Sequence, residues 1–368
     1  MTLRVLIVGA GIAGLALARA LRLRGITAEV VERTAEWEAS GAGLYLPGNS
    51  VRALDELGIW EELAAPANAI VRQRFLDHRG RRLADIDVRS YWDGVAPCVG
   101  IRRATLHEAL RVGSVEGSVV RFGISVADLD DDGQSKRVRF SDGSTGTYDL
   151  VVGADGVHST IRTLAFAESP ARYVGQASWR FIADGFPEIG EWTVMLGRGR
   201  AFLTVALGEG SVYCYADVNS SDGPPDTRGG AWRELFADFA DPVPRLLQQA
   251  DDAYYAPIEE VAPPAWKARR VVLVGDAAHA SSPNMAQGAA MALEDALVLA
   301  DALTTSQDIE EALEQYEQRR AARVTWVQDQ THRRDRTRNL PPFLRNTTLR
   351  LLGERIFRSN YRPRLEPP

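Results

Sequence analysis

The chain opens on "RVLIVGAGIAGLALARAL" (Arg4–Leu21), an apolar run followed by three glycines in GxGxxG spacing and an amphipathic continuation. Few local sequences restrict a fold more. Gly9 permits a tight strand-to-helix turn, Gly11 lets the backbone approach a phosphate, and Gly14 lets the helix pack closely on the strand; Ala13 lies inside the same turn. The helix then points free N–H groups and the positive end of its dipole at that phosphate. A second strand is predicted over 27–32 and ends on Glu32, with Arg33 beside it. A carboxylate there accepts from both hydroxyls of an adenosine ribose and disfavours a 2′-phosphate. The opening therefore predicts a βαβ unit that holds FAD or NAD rather than NADP.

Composition sets outer bounds. A chain of 368 residues exceeds what one core usually covers, so two lobes are expected. Net charge is −6, which gives no reason to expect nucleic acid or a membrane as partner. Cys98 and Cys214 are far apart and lack CxxC spacing, so a disulfide scaffold is not expected. The first strand begins at Arg4, so no leader is expected, and the chain reads as cytoplasmic, either a monomer or a homodimer. One segment departs from the average: residues 333–368 hold ten arginines, no lysine and three acids. A nucleic-acid- or membrane-binding tail is one reading of it, but Phe343, Leu344, Leu349, Leu352 and Ile356 recur there at helical spacing, which favours a helix packed on the body through that face, its arginines in water.

Two later segments repeat the theme of a buried strand ending in an acidic turn. They are "LVVGADGVHSTIR", with Asp155, and "RVVLVGDAAHASSPNMAQGAAMALEDALVLADAL", with Gly275-Asp276. Between them, "SWRFIADG" and "FLTVALGEGSVYCYADV" alternate as strands of an antiparallel sheet. Helices are predicted over 286–303 and 308–330. The fold class read from this order is α/β: a Rossmann-like nucleotide-binding domain of residues 1–70, 98–170 and 265–330, an inserted antiparallel-sheet domain of 71–97 and 171–264, and a C-terminal helical extension, 331–368.

The motifs "GAGIAGL", "RRATL", "GADGVHSTIR" and "GDAAHASSPNMAQGAAMALEDA" resemble, in order and over nearly the whole chain, those of the single-component FAD-dependent aromatic hydroxylases (class A flavoprotein monooxygenases). That group includes salicylate, 4-hydroxybenzoate and urate hydroxylases. The resemblance implies that Gly9, Gly11 and Gly14 hold the FAD pyrophosphate and Glu32 the adenosine ribose. It places Arg103 near the ribityl–phosphate region, Asp155 near FAD and a transient NADH or NADPH, and Asp276 under the ribityl hydroxyls. Gln287, Gly288 and Ala289 would offer N–H groups to the flavin edge where negative charge develops on reduction. His279 reads as a loop-fixing residue and Glu294-Asp295 as a solvated or capping pair.

The implied activity is hydroxylation of an aromatic or heteroaromatic small molecule: NAD(P)H reduces the flavin, O2 adds at C4a, and the hydroperoxide transfers oxygen to the ring. Trp179, Arg180, Phe181, Arg200, Phe202, Tyr213 and Tyr215 are the candidates for the substrate wall. Tyr213 and Arg200 are the catalytic candidates among them. Tyr213 falls where urate-type hydroxylases keep a functional tyrosine, and Arg200 lies within one residue of their substrate-binding arginine. A one-residue shift reverses a side chain in a strand, and Tyr213 and Tyr215 share a face opposite Cys214. Tyr45 is a further residue placed near the flavin. Two other readings stay open: a related flavoprotein oxidoreductase, reductase or halogenase-like, and a non-catalytic protein using the dinucleotide fold. "SWRFIADG" lacks the second Trp and the Pro of the halogenase segment.

Overall fold

Strands Val5–Val8, Leu150–Gly153 and Val271–Leu273 are buried on both faces, which is why they read as unbroken apolar runs and not as alternating ones. In the computed structural model, which describes residues 3–37, 42–115, 119–166, 169–221, 223, 225, 228–263 and 265–368, they are neighbours in one six-stranded sheet. Its order is 267–268, 271–273, 150–153, 5–8, 28–32, 119–122, parallel except at the 267–268 edge. Val8 lies in register with Gly153, and Gly153 with Leu273. Three segments far apart in sequence thus leave the sheet side by side, at Gly9, Ala154-Asp155 and Val274-Gly275. Helices Ile12–Leu23 and Gly288–Thr305 cover the sheet and pack on each other. The second is apolar nearly all round because it is buried nearly all round.

The inserted strands form a seven-stranded sheet of order 254–260, 172–183, 211–219, 200–208, 192–196, 72–77, 82–87. It is antiparallel except where Trp192–Leu196 runs parallel to Arg72–Asp77. Each face supports a separate core. One face joins the core of the nucleotide-binding body. The other packs Trp179, Phe181 and Phe202 against Trp232, Phe236 and Phe239. A small sheet of 43–46, 98–102 and 68–70 fits under the first face. Gly100 makes the fit possible, since a Cβ there would stand 2.1 Å from the Ala206 carbonyl oxygen. Tyr45 belongs to a strand of this small sheet, Gly43–Leu46.

The chain ends in two helices. The first, Ile309–Arg338, outruns the predicted 308–330 because nothing interrupts it before Pro341. Asp308 starts it by accepting from the Glu311 N–H, and Glu311 accepts in return from the Gln307 N–H. The second, Pro342–Tyr361, does not pack through its apolar stripe as the sequence suggests. Its buried side carries Arg345, Gly353, Phe357, Asn360 and Tyr361: Arg345 donates to the carbonyls of Leu196 and Gly197, and Gly353 lies against Ala84. Phe343, Leu344, Leu352 and Ile356 face solvent instead. Backbone carbonyls at the end of the sheet attract Arg345 more than its open flank attracts leucines.

Candidate active site

The glycine turn is built as its spacing demands. Gly9 has φ +106°, and a Cβ there would meet the Ala154 carbonyl oxygen at 2.5 Å. A Cβ on Gly14 would stand 1.9 Å from the Gly9 oxygen, so the helix can reach the strand only without one. Gly11 differs, for a Cβ there meets nothing within 4 Å. Two glycines close the packing and the third fronts open space, the arrangement a phosphate needs. Glu32 accepts from the N–H groups of Ala10 at 2.8 Å and Thr34 at 3.0 Å, which fixes its carboxylate at the lip of the turn. Arg33 is exposed beside it. His107, a residue the sequence reading did not single out, lies 2.8 Å through Nε2 from the Ala10 carbonyl. It follows Arg103 by one helical turn, and that spacing is the signal that could have found it.

The acidic turns join the same cleft. Gly275, at φ +60°, abuts Ala13, since a Cβ on Gly275 would lie 2.8 Å from that of Ala13. Asp276 begins a short helix with an exposed carboxylate that takes no hydrogen bond among the described residues. Behind it, Asp295 accepts from the Gly275 N–H at 2.8 Å and lies 2.7 Å from His279 Nε2. His279 is thus the loop-fixing residue expected. The Asp155 carboxylate is turned onto the start of the 160–165 helix, accepting from the Thr160 and Ile161 N–H groups and the Ser159 hydroxyl. Burial raises its pKa, partly offset by those donors. Arg162, also missed, ties this turn to the other by donating to the Ala277 carbonyl at 2.9 Å.

Glu294 and Asp295 correct the sequence reading most sharply. They are 1 % and 0 % exposed and form neither a solvated nor a capping pair. Arg320 spans them, 2.7 Å from each, and Arg323 makes two further 2.7 Å bonds to Glu294. Asn49 donates to both Glu294 and Gln287 at 3.0 Å, so the side chain at the start of the Gly288–Thr305 helix is held from behind. Burial pushes both carboxyls up, but the arginines and His279 outweigh it and hold each at about 2. The first N–H groups of that helix, at Gly288 and Ala289, remain without intrahelical partners. A Cβ on Gly288 meets nothing within 4 Å.

Ala286 precedes this helix with φ +49° and ψ +35°, a left-handed conformation that costs alanine roughly 1 kcal/mol. Glycine removes that cost but adds a similar unfolded-state entropy, about 0.4–1 kcal/mol. Ala286→Gly is therefore expected to leave the thermal midpoint within about 2 °C of the parent by calorimetry. A larger drop would show that alanine at this position makes contacts the backbone argument omits.

The inserted sheet settles which aromatics face the cleft. Tyr213 and Tyr215 lie on the inner side with Arg180, Ile182, Leu203 and Val205 across from them. The side chain of Tyr213 lies on Gly43, where a Cβ would be 2.5 Å from its Cβ and 2.6 Å from the first ring carbon. Burial raises the Tyr213 pKa, while the charges of Arg180 and Arg103 pull it back. The Arg180 guanidinium lies 5.6 Å from the Tyr215 ring centre. Trp192, unnoticed in sequence, stands between Tyr45 and Phe75 on the same side.

The other candidates are displaced by one residue of parity. Trp179, Phe181 and Phe202 point into the outer core, away from the cleft, with Trp179 stacked at 4.8 Å on Trp232. Arg200 follows them outward, pairing with Asp238, bonding the Leu235 carbonyl and lying over the Phe239 ring. The expected substrate roles of these four residues are therefore withdrawn; alternation in the strand puts their side chains on the wrong face.

These residues suit FAD. Open space fronts Gly11 and Gly288, Glu32 borders the ribose position, and Asp276 offers an unspent carboxylate beside the glycine turn. Comparison with known proteins agrees. A family model described as an FAD binding domain matches residues 2–331. The 2-heptyl-3-hydroxy-4(1H)-quinolone synthase of Pseudomonas aeruginosa is 34 % identical over 336 residues, 89 % of this chain and 87 % of that one. The 3-amino-4-hydroxybenzoate 2-monooxygenase of Streptomyces cremeus is 33 % identical over 91 % and 86 %. Klebsiella pneumoniae HpxO, solved with FAD and uric acid, superposes with a TM-score of 0.90 at 27 % identity, covering 100 % of this chain and 97 % of that one. With that agreement of turn geometry, sequence and fold, the chain belongs to the FAD binding domain family and, within it, to the FAD-dependent monooxygenases of aromatic and heteroaromatic compounds.

Proposed function

We propose that the protein uses NADH or NADPH and O2 to hydroxylate a planar heteroaromatic or phenolic ring that carries an acceptor oxygen and an apolar substituent. One observation carries this reading. On the inner face of the sheet, Arg180 Nε, Tyr215 Oη and Trp192 Nε1 are buried without hydrogen-bond partners among the described residues. Buried polar groups without partners are costly, and a ligand that satisfies them recovers that cost. The Tyr213 and Tyr215 phenols are protonated at neutral pH, and burial pushes their pKa values further up, so both can donate. With Arg180 they make a donor-rich wall that suits a phenolate or ring carbonyl oxygen. Leu203, Val205 and Ile182 lie among them and suit an aliphatic or unsubstituted ring edge. The quinolone synthase relative bears in its name a heptyl-substituted ring with such oxygens.

Gly9, Gly11 and Gly14 would hold the pyrophosphate of FAD, Glu32 the adenosine ribose, and Asp276 the hydroxyls of the ribityl arm. Gly288 and Ala289 present helix N–H groups, whose dipole favours negative charge at the flavin. When bound, FAD supplies the redox chemistry that activates O2 and passes one oxygen atom to the ring. Arg180 and the two phenols orient the ring and stabilise its oxyanion, the form richest in electrons. The apolar neighbours keep water from the reacting edge.

Arg180→Leu is expected to raise KM for the ring about tenfold or more, with FAD content unchanged, because one charge-assisted bond is worth about 1.5–3 kcal/mol. Phe202→Leu, on the outer face, is expected to leave KM unaltered. Substrate-stimulated NAD(P)H oxidation reads both. The reverse pattern would place the ring on the wrong side of the sheet.

A further inference from the structure

Of the eleven large apolar side chains strongly exposed among the described residues, six lie between Leu340 and Ile356. Leu351 and Phe343 are the most open, at 76 % and 69 %. Five of them lie on the Pro342–Tyr361 helix, a concentration unusual for a surface whose apolar residues are otherwise scattered. The helix is held to the body along Arg345, Leu349, Gly353, Phe357 and Tyr361, one position in four. Leu344, Leu351, Arg355 and Arg358 follow three- and four-residue steps on the opposite side. Arg350, Arg355 and Arg362 are exposed and enter no ion pair among the described residues, while Arg358 pairs with Glu354. Charge is divided as sharply as polarity. Residues 333–368 carry +7, and the preceding 332 carry −13.

We propose that the outer face of the Pro342–Tyr361 helix docks on an anionic phospholipid surface. An interfacial helix combines apolar side chains that enter the acyl boundary with arginines that meet lipid phosphates, and this face has both. The acidic body is repelled by the same surface, so the molecule is oriented with this helix downward. A second copy fits less well. Pairing this helix with itself through that face would set Arg355 and Arg358 of both copies together and bring two acidic bodies close. A nucleic acid would satisfy the arginines and leave Phe343 and Leu351 in water.

The test is co-sedimentation of the FAD-loaded protein with vesicles of phosphatidylcholine alone and of phosphatidylcholine mixed with phosphatidylglycerol, at low and high salt. The protein is expected to partition onto the anionic vesicles at least about tenfold better than onto the neutral ones, and to be released by salt. Leu344→Asp/Leu351→Asp and Arg355→Gln/Arg358→Gln should each lose about tenfold while keeping FAD, since all four side chains are exposed. A protein that stays in the supernatant with anionic vesicles overturns the proposal, as does a leucine-pair variant that sediments like the parent. Light scattering supplies a third outcome. A dimer that the leucine-pair variant abolishes, without vesicle binding by the parent, assigns the face to a second copy.

Discussion

Arg320→Leu is expected to destabilise the folded protein by about 3–5 kcal/mol at neutral pH, the usual cost of removing one partner from a buried ionic cluster. Arg320 is fully buried and donates to both Glu294 and Asp295. Without it, Arg323 and His279 are left to neutralise two carboxylates that cannot reach water. The sign with pH follows from the same groups. Their folded pKa values of about 2 lie below the ordinary 4.5 and 3.8, so the stability they contribute is present above those ordinary values and is lost as pH falls toward 2. The difference between parent and variant should therefore be largest near pH 7 and shrink on acidification. Thermal midpoints measured across that range check it. Equal midpoints at neutral pH, or a gap that widens in acid, would contradict the assignment.

Asp276→Ala is expected to lower FAD affinity about tenfold to a hundredfold, the equivalent of a charge-assisted hydrogen bond of about 1.5–3 kcal/mol. The side chain is exposed and takes no hydrogen bond within the described residues, so the apoprotein should melt where the parent apoprotein does. Titration of apoprotein with FAD, followed by flavin fluorescence, separates the two effects. Unchanged affinity would move the ribityl contact to another residue. A lower apoprotein midpoint would make Asp276 a structural residue.

The parts of the site that sequence showed are those fixed by local geometry. Gly9 and Gly14 are glycines because neighbouring atoms leave no room for a Cβ, and such a requirement is written in spacing alone. Strand alternation correctly grouped Tyr213 with Tyr215. It could not say which parity faced the body, because that depends on what packs beneath each face, and so Arg200, Phe202, Trp179 and Phe181 came out reversed. Glu294-Asp295 looked like surface charge because the arginines that neutralise it come from a helix about 26 residues downstream, a distance set by the fold. The C-terminal helix misled for a related reason. Its apolar spacing suggested the buried side, while Arg345 and Gly353 found carbonyls and an alanine on the other side.

The central claim is that this cleft hydroxylates a ring held against Arg180, Tyr213 and Tyr215. The most direct test supplies the FAD-loaded protein with NADH or NADPH and labelled O2, together with a panel of hydroxyquinolines, quinolones, hydroxybenzoates and purines. The account predicts that at least one oxygen-bearing ring with an apolar edge stimulates NAD(P)H oxidation in the parent but not in Arg180→Leu. It also predicts that this ring gains one atom of labelled oxygen. FAD-loaded protein that is reduced at the same rate with every ring, and labels none of them, would contradict it.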